Sequence, residues 1–180
     1  MGDSIIVTEY DPLWPRVFDG IRVALLRALE GVRFDSIEHV GSTAVPGLAA
    51  KPIIDIDVVV AASAVDAAVQ ALVARGYESL GDMGIADRYA LRAPAGAPRQ
   101  NVYVVVRDSL ALRNHLGVRK VLREDAMLRD EYGSVKVELA QQFDDIELYV
   151  AGKTHVLQRI LQAAGLDQAD LDEIDWANRA

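Results

Sequence analysis

Nine residues, Pro52 to Val60, constrain the fold more than any other stretch: PIIDIDVVV is isoleucine and valine except at Pro52, Asp55 and Asp57. A short run so rich in β-branched residues reads as a strand. A strand this apolar is usually central and covered on both faces. The chain must therefore build a sheet with other layers over it. Asp55 and Asp57 are two apart, so on a strand rising about 3.3 Å per residue their Cα atoms sit roughly 6.6 Å apart and both side chains leave one face.

The rest of the chain supplies the layers. Ile5 to Val7 is a short β-prone run, and Asp11-Pro12 reads as an N-cap followed by a proline at the first helical position. Val17, Ile21, Leu25 and Leu29 recur every four residues, which predicts an amphipathic helix from Trp14 to Leu29, ended by Gly31. Phe34 to Val40 is a second short strand, and Gly41 to Lys51 a loop or a short turn of helix. Ser63-x-x-Asp66 opens the next helix as a weak capping box, and Gly76 closes it. Glu78 to Leu80, Ala86 to Ala93 and Gln100 to Val106 follow as strands. From Asp108-Ser109 to about Ala164 the pattern is helical, with breaks near Gly133 and Gly152. This order predicts an α+β (α/β-like) fold, a mixed sheet flanked by helices. The reading is one domain over residues 1–165, with a sheet-containing core to about 108 and a helical part after it. An acidic tail follows over 166–180, whose Trp176 needs a packing site if the end is not to fray.

The charge balance, 19 basic against 27 acidic residues and a net charge of −8, argues against a large nucleic-acid footprint. The chain has no cysteine, which removes disulfides, thiolate metal sites and a cysteine nucleophile and fits a reducing cytoplasm. No secretory signal, myristoylation signal or run apolar enough to span a bilayer is visible, so the expectation is a cytoplasmic protein with no membrane partner. His39, His115 and His155 are scattered and no H-E-x-x-H spacing exists. Ser42 lacks the setting of a nucleophile elbow.

Two carboxylates in an isoleucine–valine strand are costly to desolvate as bare charges. Burial pushes them towards the protonated form unless a cation compensates. Mg²⁺ or Mn²⁺, completed by water and phosphate oxygens, would do so; a solvent-facing strand end or a salt bridge with Lys51 are the simpler alternatives. The loop before the strand sharpens the first reading. At Gly41-Ser42 a glycine lets the backbone approach an anion, a hydroxyl adds a donor, and Lys51 adds charge nearby.

The stretch HVGSTAVPGLAAKPIIDIDVVV, His39 to Val60, resembles the signature of the GrpB-like family, within the polymerase-beta-like nucleotidyltransferase superfamily. The opening YDPLWPRVF, Tyr10 to Phe18, and the helical half with Tyr132, Lys136, Leu139, Tyr149 and Lys153 are similar to the same family. The resemblance covers roughly residues 5–165. It implies a nucleotidyltransferase-type fold, with Asp55 and Asp57 as catalytic metal ligands and Gly41 and Ser42 on the phosphates of a nucleoside triphosphate, expected to be ATP. It also implies that Lys51, Arg113, Lys136 and Lys153 neutralise phosphate charge; Arg113 has the alternative of pairing with an acid on a neighbouring helix, and Lys136 and Lys153 that of solvated helix-face lysines. His39, Asn101 and Tyr103 are candidates for the substrate side, with His39 packing or hydrogen-bonding beside the Gly-Ser loop.

The chain departs from the family where Asn101-Val102-Tyr103 replaces a His-x-His-like pattern, and no third acid lies between Gln100 and Val106. The expected activity is Mg²⁺-dependent nucleotidyl transfer to a small-molecule hydroxyl or carboxylate. With a carboxylate, adenylation leads on to amide formation, as in an ATP-dependent ligase. The second reading is a non-catalytic module that kept the fold.

Overall fold

The structure, a computed structural model, describes residues 5–179 and the side chains of residues 5–177; the first four residues of the expected domain and the very end of the expected tail lie outside them. In chain order the elements are α1 (Trp14–Ala28), β1 (Ser36–Val40), β2 (Ile54–Val60), α2 (Val65–Val73), β3 (Glu78–Gly81), β4 (Arg88–Arg92) and β5 (Gln100–Val106). Five helices follow: α3 (Leu110–Glu124), α4 (Ala126–Gln142), α5 (Ile146–Gly152), α6 (Thr154–Ala163) and α7 (Gln168–Arg179). Short 3₁₀ turns cover Ser42–Ala44 and Ala62–Ala64.

The PIIDIDVVV run becomes β2, an interior strand, in a five-stranded sheet of order β1-β2-β5-β4-β3. Its pairing with β5 is parallel and the other three pairings are antiparallel. The period-2 alternation of strands then divides the chemistry cleanly. Ile54, Ile56, Val58 and Val60 join Val102 and Val104 in a core with Ile21 and Leu25 of α1 and Ala68 and Leu72 of α2. On the opposite face Val59 and Val105 pack with Ala111 and Leu112 of α3. Asp55 and Asp57 belong to that second face and look towards the C-terminal helices.

Several local expectations fail for identifiable reasons. The run Ile5 to Val7 forms no strand; only Thr8 pairs, with Ala50, through two 2.9 Å backbone bonds. Helix α1 starts at Trp14, with Pro15 as the proline of its first turn, while the Asp11 carboxylate accepts from the Leu13 N–H at 2.8 Å to close a turn before it. Helix α2 has no side-chain cap, because Ser63 lies inside the 3₁₀ turn that precedes it. Gly133 does not break α4. The side chain of Leu48 lies 3.4 Å from where a Cβ would stand, so a small residue seats the loop against the helix.

The stretch read as an acidic tail is largely helix α7. Leu166, Leu171 and Ile174 pack with Leu161 of α6, and Asp170 pairs with Arg113 at 2.7 Å. Trp176 does not anchor it and is 66% exposed. Among the described residues no helix is long and apolar enough to cross a membrane.

Candidate functional site

The sheet register sets the first row of the site. Asp57 lies opposite Glu38 of β1 and Tyr103 of β5, and Asp55 lies opposite Val40 and Asn101. Cross-strand partners share a face, so all of these look towards α3 and the helices after it. The Asn101 amide donates to the Asp55 carboxylate at 2.8 Å. Asp57 is completely buried, and His115 of α3 donates from Nδ1 to its two oxygens at 2.9 and 3.1 Å. Next to this pair the Tyr103 ring sits 5.8 Å from the His115 ring, and the Arg88 guanidinium lies over Tyr103 at 4.6 Å.

The electrostatics follow from that packing. Burial raises the Asp55 pKa; the Asn101 hydrogen bond and nearby cations only partly offset it. Burial disfavours the charged form of His115, but the adjacent Asp57 carboxylate outweighs it and raises the imidazole above its ordinary value. Burial, with the charges of Asp55 and Asp57, pushes the Tyr103 phenol up to about 12. Glu38, the third acid in the row, is committed elsewhere: Arg119 donates to it at 2.9 Å and to the His39 carbonyl at 2.7 Å.

Gly41 closes the site at the end of β1. Its φ of +69° and ψ of −172° belong to glycine, and a Cβ there would fall 2.2 Å from the Asp55 carboxylate. Ser42 opens the 3₁₀ turn, and its hydroxyl accepts from Lys136 Nζ at 2.9 Å; the same amine donates to the Ala49 carbonyl. Arg123 clamps the far end of that turn by two bonds to the Ala44 carbonyl, at 2.6 and 3.0 Å.

Three amines gather on the helical side of this loop. Lys136 is held 4.8 Å from the centre of the Tyr132 ring, and Lys51 and Lys153 lie 5.2 and 4.5 Å from that of Tyr149. None of the three forms an ion pair with a carboxylate among the described residues. Burial, reinforced by the charge of Lys153, pushes Lys136 down to about 7, and burial with the charge of Lys51 pushes Lys153 down to about 8. Lys51 is lowered as well, chiefly by burial, and the Asp55 carboxylate acts on all three in the opposite direction.

Of the residues picked out from the sequence, Asp55, Asp57, Gly41, Ser42, Lys51, Lys136, Lys153, Asn101 and Tyr103 thus gather on this face of the sheet and around the loop beside it. Two do not. His39 lies on the other face of the sheet, stacked on Phe18 at 4.7 Å and bonded through Nε2 to Thr43 at 3.0 Å. Burial and then the charges of Arg123 and Arg119 push its pKa down to about 4, so it supports the loop as a neutral ring. Arg113 is forked onto Asp170 of α7, at 2.7 and 2.8 Å, and does not join the group. Sequence reasoning missed His115, Arg88 and the Arg119–Glu38 pair. A signal existed in the 115/119/123 spacing, which puts three cationic or titratable residues on one face of α3.

Among the described residues no group of three His, Asp or Glu side chains is placed to hold a metal ion. Two carboxylates suffice for Mg²⁺ when phosphates and water complete its shell.

A family described as GrpB protein matches residues 4–163. The chain belongs to the GrpB family. Among GrpB-family relatives, a UPF0157 protein of Halalkalibacterium halodurans is 36% identical over 164 residues, 89% of this chain and 83% of that one. One from Streptomyces coelicolor is 37% identical over 170 residues, covering 90% and 85%. The crystal structure of conserved protein GrpB from Enterococcus faecalis superposes with a TM-score of 0.75 at 35% identity, over 87% of this chain and 98% of that chain. Cid1, solved in complex with its short product ApU, matches at a TM-score of 0.52 and 17% identity, over 72% of this chain and 42% of that one. This last likeness concerns the fold alone, which is nucleotidyltransferase-like.

Proposed function

We propose that this site binds a nucleoside triphosphate, ATP in the first instance, with Mg²⁺ or Mn²⁺, and transfers its nucleotidyl group to a small-molecule acceptor. One observation carries the reading: three half-buried or buried amines, none paired with an acid, face two carboxylates across a glycine–serine loop. Unpaired buried cations are costly, and a triphosphate brings the missing negative charge. Asp57 already has His115 beside it, but the site leaves the charge of Asp55 under-compensated, and a cation there fits. Asp55 and Asp57 would hold the ion, which when bound supplies positive charge to the triphosphate.

The chain's own residues do the positioning. Lys136 spans the phosphates and the Ser42 hydroxyl, while Lys51 and Lys153 lie against Tyr149 and carry charge as pyrophosphate departs. Asn101 fixes the Asp55 carboxylate, and His115 fixes that of Asp57. The acceptor oxygen attacks the α-phosphorus, the bond to the bridging oxygen breaks, and pyrophosphate leaves; a hydroxyl acceptor also loses its proton. A carboxylate acceptor gives an acyl-adenylate, which an amine converts to an amide with release of AMP. The second reading, a non-catalytic nucleotide-binding module, is favoured by β5 placing the amide of Asn101 and the phenol of Tyr103, and no acid, beside Asp55 and Asp57, while Glu38 on the other side is taken by Arg119.

The test is a calorimetric titration of ATP with and without Mg²⁺, repeated with GTP, CTP and UTP. Saturable binding that requires the metal is the expected result. Absence of binding by all four at millimolar concentration would overturn the proposal.

The lysines give the same titration a second readout. Lys136 and Lys153, at about 7 and about 8, are together substantially deprotonated at pH 8. A bound triphosphate raises both values, so the complex takes up protons, about one at pH 8, and affinity falls as pH rises through that range. Titrations in buffers of different ionisation enthalpy measure the uptake; none at pH 8 would mean the amines do not meet the phosphates.

A further inference from the structure

A cavity of about 210 Å³ has His115, the partner of Asp57, in its wall. Its walls come from the Gly84–Arg88 turn, the start of α3 and one side of α7, with Ile85, Ile174 and Trp176 among the apolar lining. The turn is shaped for this place: Met83, Gly84 and Asp87 all have positive φ, between 51° and 76°. Ile85 thereby folds back onto the Val105–Ala111 core. Trp176, which nothing in the core uses, stands at the cavity wall.

Arg88 is the one guanidinium among the polar residues that line this cavity, which also include Asn114 and His115. It shares the sheet face of Asp57, since it pairs in register with Val105. Its guanidinium covers Tyr103, its Nε is buried without a hydrogen-bond partner, and it forms no ion pair among the described residues. Asp87 and Glu173 also line the cavity, but neither pairs with it. A guanidinium stays charged at any ordinary pH and its planar fork matches a carboxylate. The guanidinium has no carboxylate partner among the described residues, and an anion in the cavity would supply one.

We infer that this cavity is a binding site for a small carboxylic acid with an apolar body, its carboxylate on Arg88 and its body against Ile85, Ile174 and Trp176. Its role as the acceptor site rests on the nucleotidyl-transfer reading; the carboxylate preference does not. Through the Arg88–Tyr103–His115 contacts the cavity adjoins Asp57. Within that reading the acceptor is a carboxylate rather than a hydroxyl: a carboxylate oxygen bonds to the α-phosphorus, pyrophosphate leaves, and no proton is lost.

The experiment uses the full chain without nucleotide or metal. 3-Phenylpropionate and 4-methylpentanoate are titrated beside the corresponding alcohols, followed by tryptophan fluorescence and by ligand-observed NMR. The acids are expected to bind at least about tenfold more tightly than the alcohols and to change the fluorescence, and Trp176→Phe should remove that change. Arg88→Met, which keeps the stem over Tyr103, should abolish the preference. Equal binding of acid and alcohol by the wild type, no binding of either acid, or unchanged acid binding by Arg88→Met would each overturn the inference. Because no ATP is present, failure here leaves nucleotide binding standing, and failure of ATP to bind leaves the carboxylate site standing.

Discussion

Asp55→Asn and Asp57→Asn are expected to abolish metal-dependent ATP binding alike, yet to move stability in opposite directions. Each removes one of the two carboxylates able to hold the cation. For a site built on two, either loss should weaken Mg²⁺-dependent binding by about a hundredfold or more, roughly 3 kcal/mol. Stability separates them because their surroundings differ. Burial raises the Asp55 pKa and its partner is a neutral amide, so asparagine there removes an ill-compensated charge. That change should leave stability unaltered or improve it by about 1 kcal/mol, as replacements at functional positions often do. Asp57 is fully buried and holds His115, so Asp57→Asn leaves that ring without its charged partner and should cost about 3 kcal/mol. Urea denaturation and ATP titration on the same two variants read both quantities. An Asp55→Asn protein that keeps metal-dependent binding would remove Asp55 from the site, whatever its stability.

These two acids were legible in the sequence for a physical reason: charges confined to alternate positions of an otherwise isoleucine–valine strand must share one face. The Gly41-Ser42 loop was legible only in conjunction with Asp55 and Asp57, since glycine and serine at the end of a strand otherwise read as a turn. Lys136 and Lys153 came only through the resemblance, since a lysine on a helix says nothing about whether its face is buried. His115 lies 58 residues from the Asp57 it bonds, and the pairing depends on how α3 crosses the sheet, which no local pattern encodes. Arg113 illustrates the same limit. Two residues apart on a helix is about 200° of rotation, so once His115 faces the sheet, Arg113 is turned away towards Asp170. Helix α7 was missed because its apolar anchors are sparse, Leu171 and Ile174 standing in an acidic sequence. Arg88, read only as part of a strand, gains meaning when α7 closes the cavity beside it.

Gly41→Ala is expected to have the largest effect of any single methyl group added to this chain. The added Cβ would lie 2.2 Å from the Asp55 carboxylate and 2.9 Å from its Cβ and Cγ. Asp55 is paired on both sides within the sheet, so its backbone cannot give way. Its side chain would have to rotate off the Asn101 amide. To this is added the strain of a φ of +69° with extended ψ, a region costing a residue with a side chain about 1–3 kcal/mol. Together these should lower stability by about 4 kcal/mol and abolish metal-dependent ATP binding, because the same movement displaces a carboxylate of the site. Gly47→Ala in the same loop separates the two causes. Its φ is +81°, but the nearest atom to an added Cβ is in the Arg129 guanidinium at 3.5 Å, an ordinary contact. That variant should lose only about 1–2 kcal/mol and still bind ATP with Mg²⁺. Urea denaturation and calorimetry on the pair decide the matter. If both variants lose the same stability and Gly41→Ala still binds, then Gly41 is a turn residue and not the close approach that seats Asp55 against the loop.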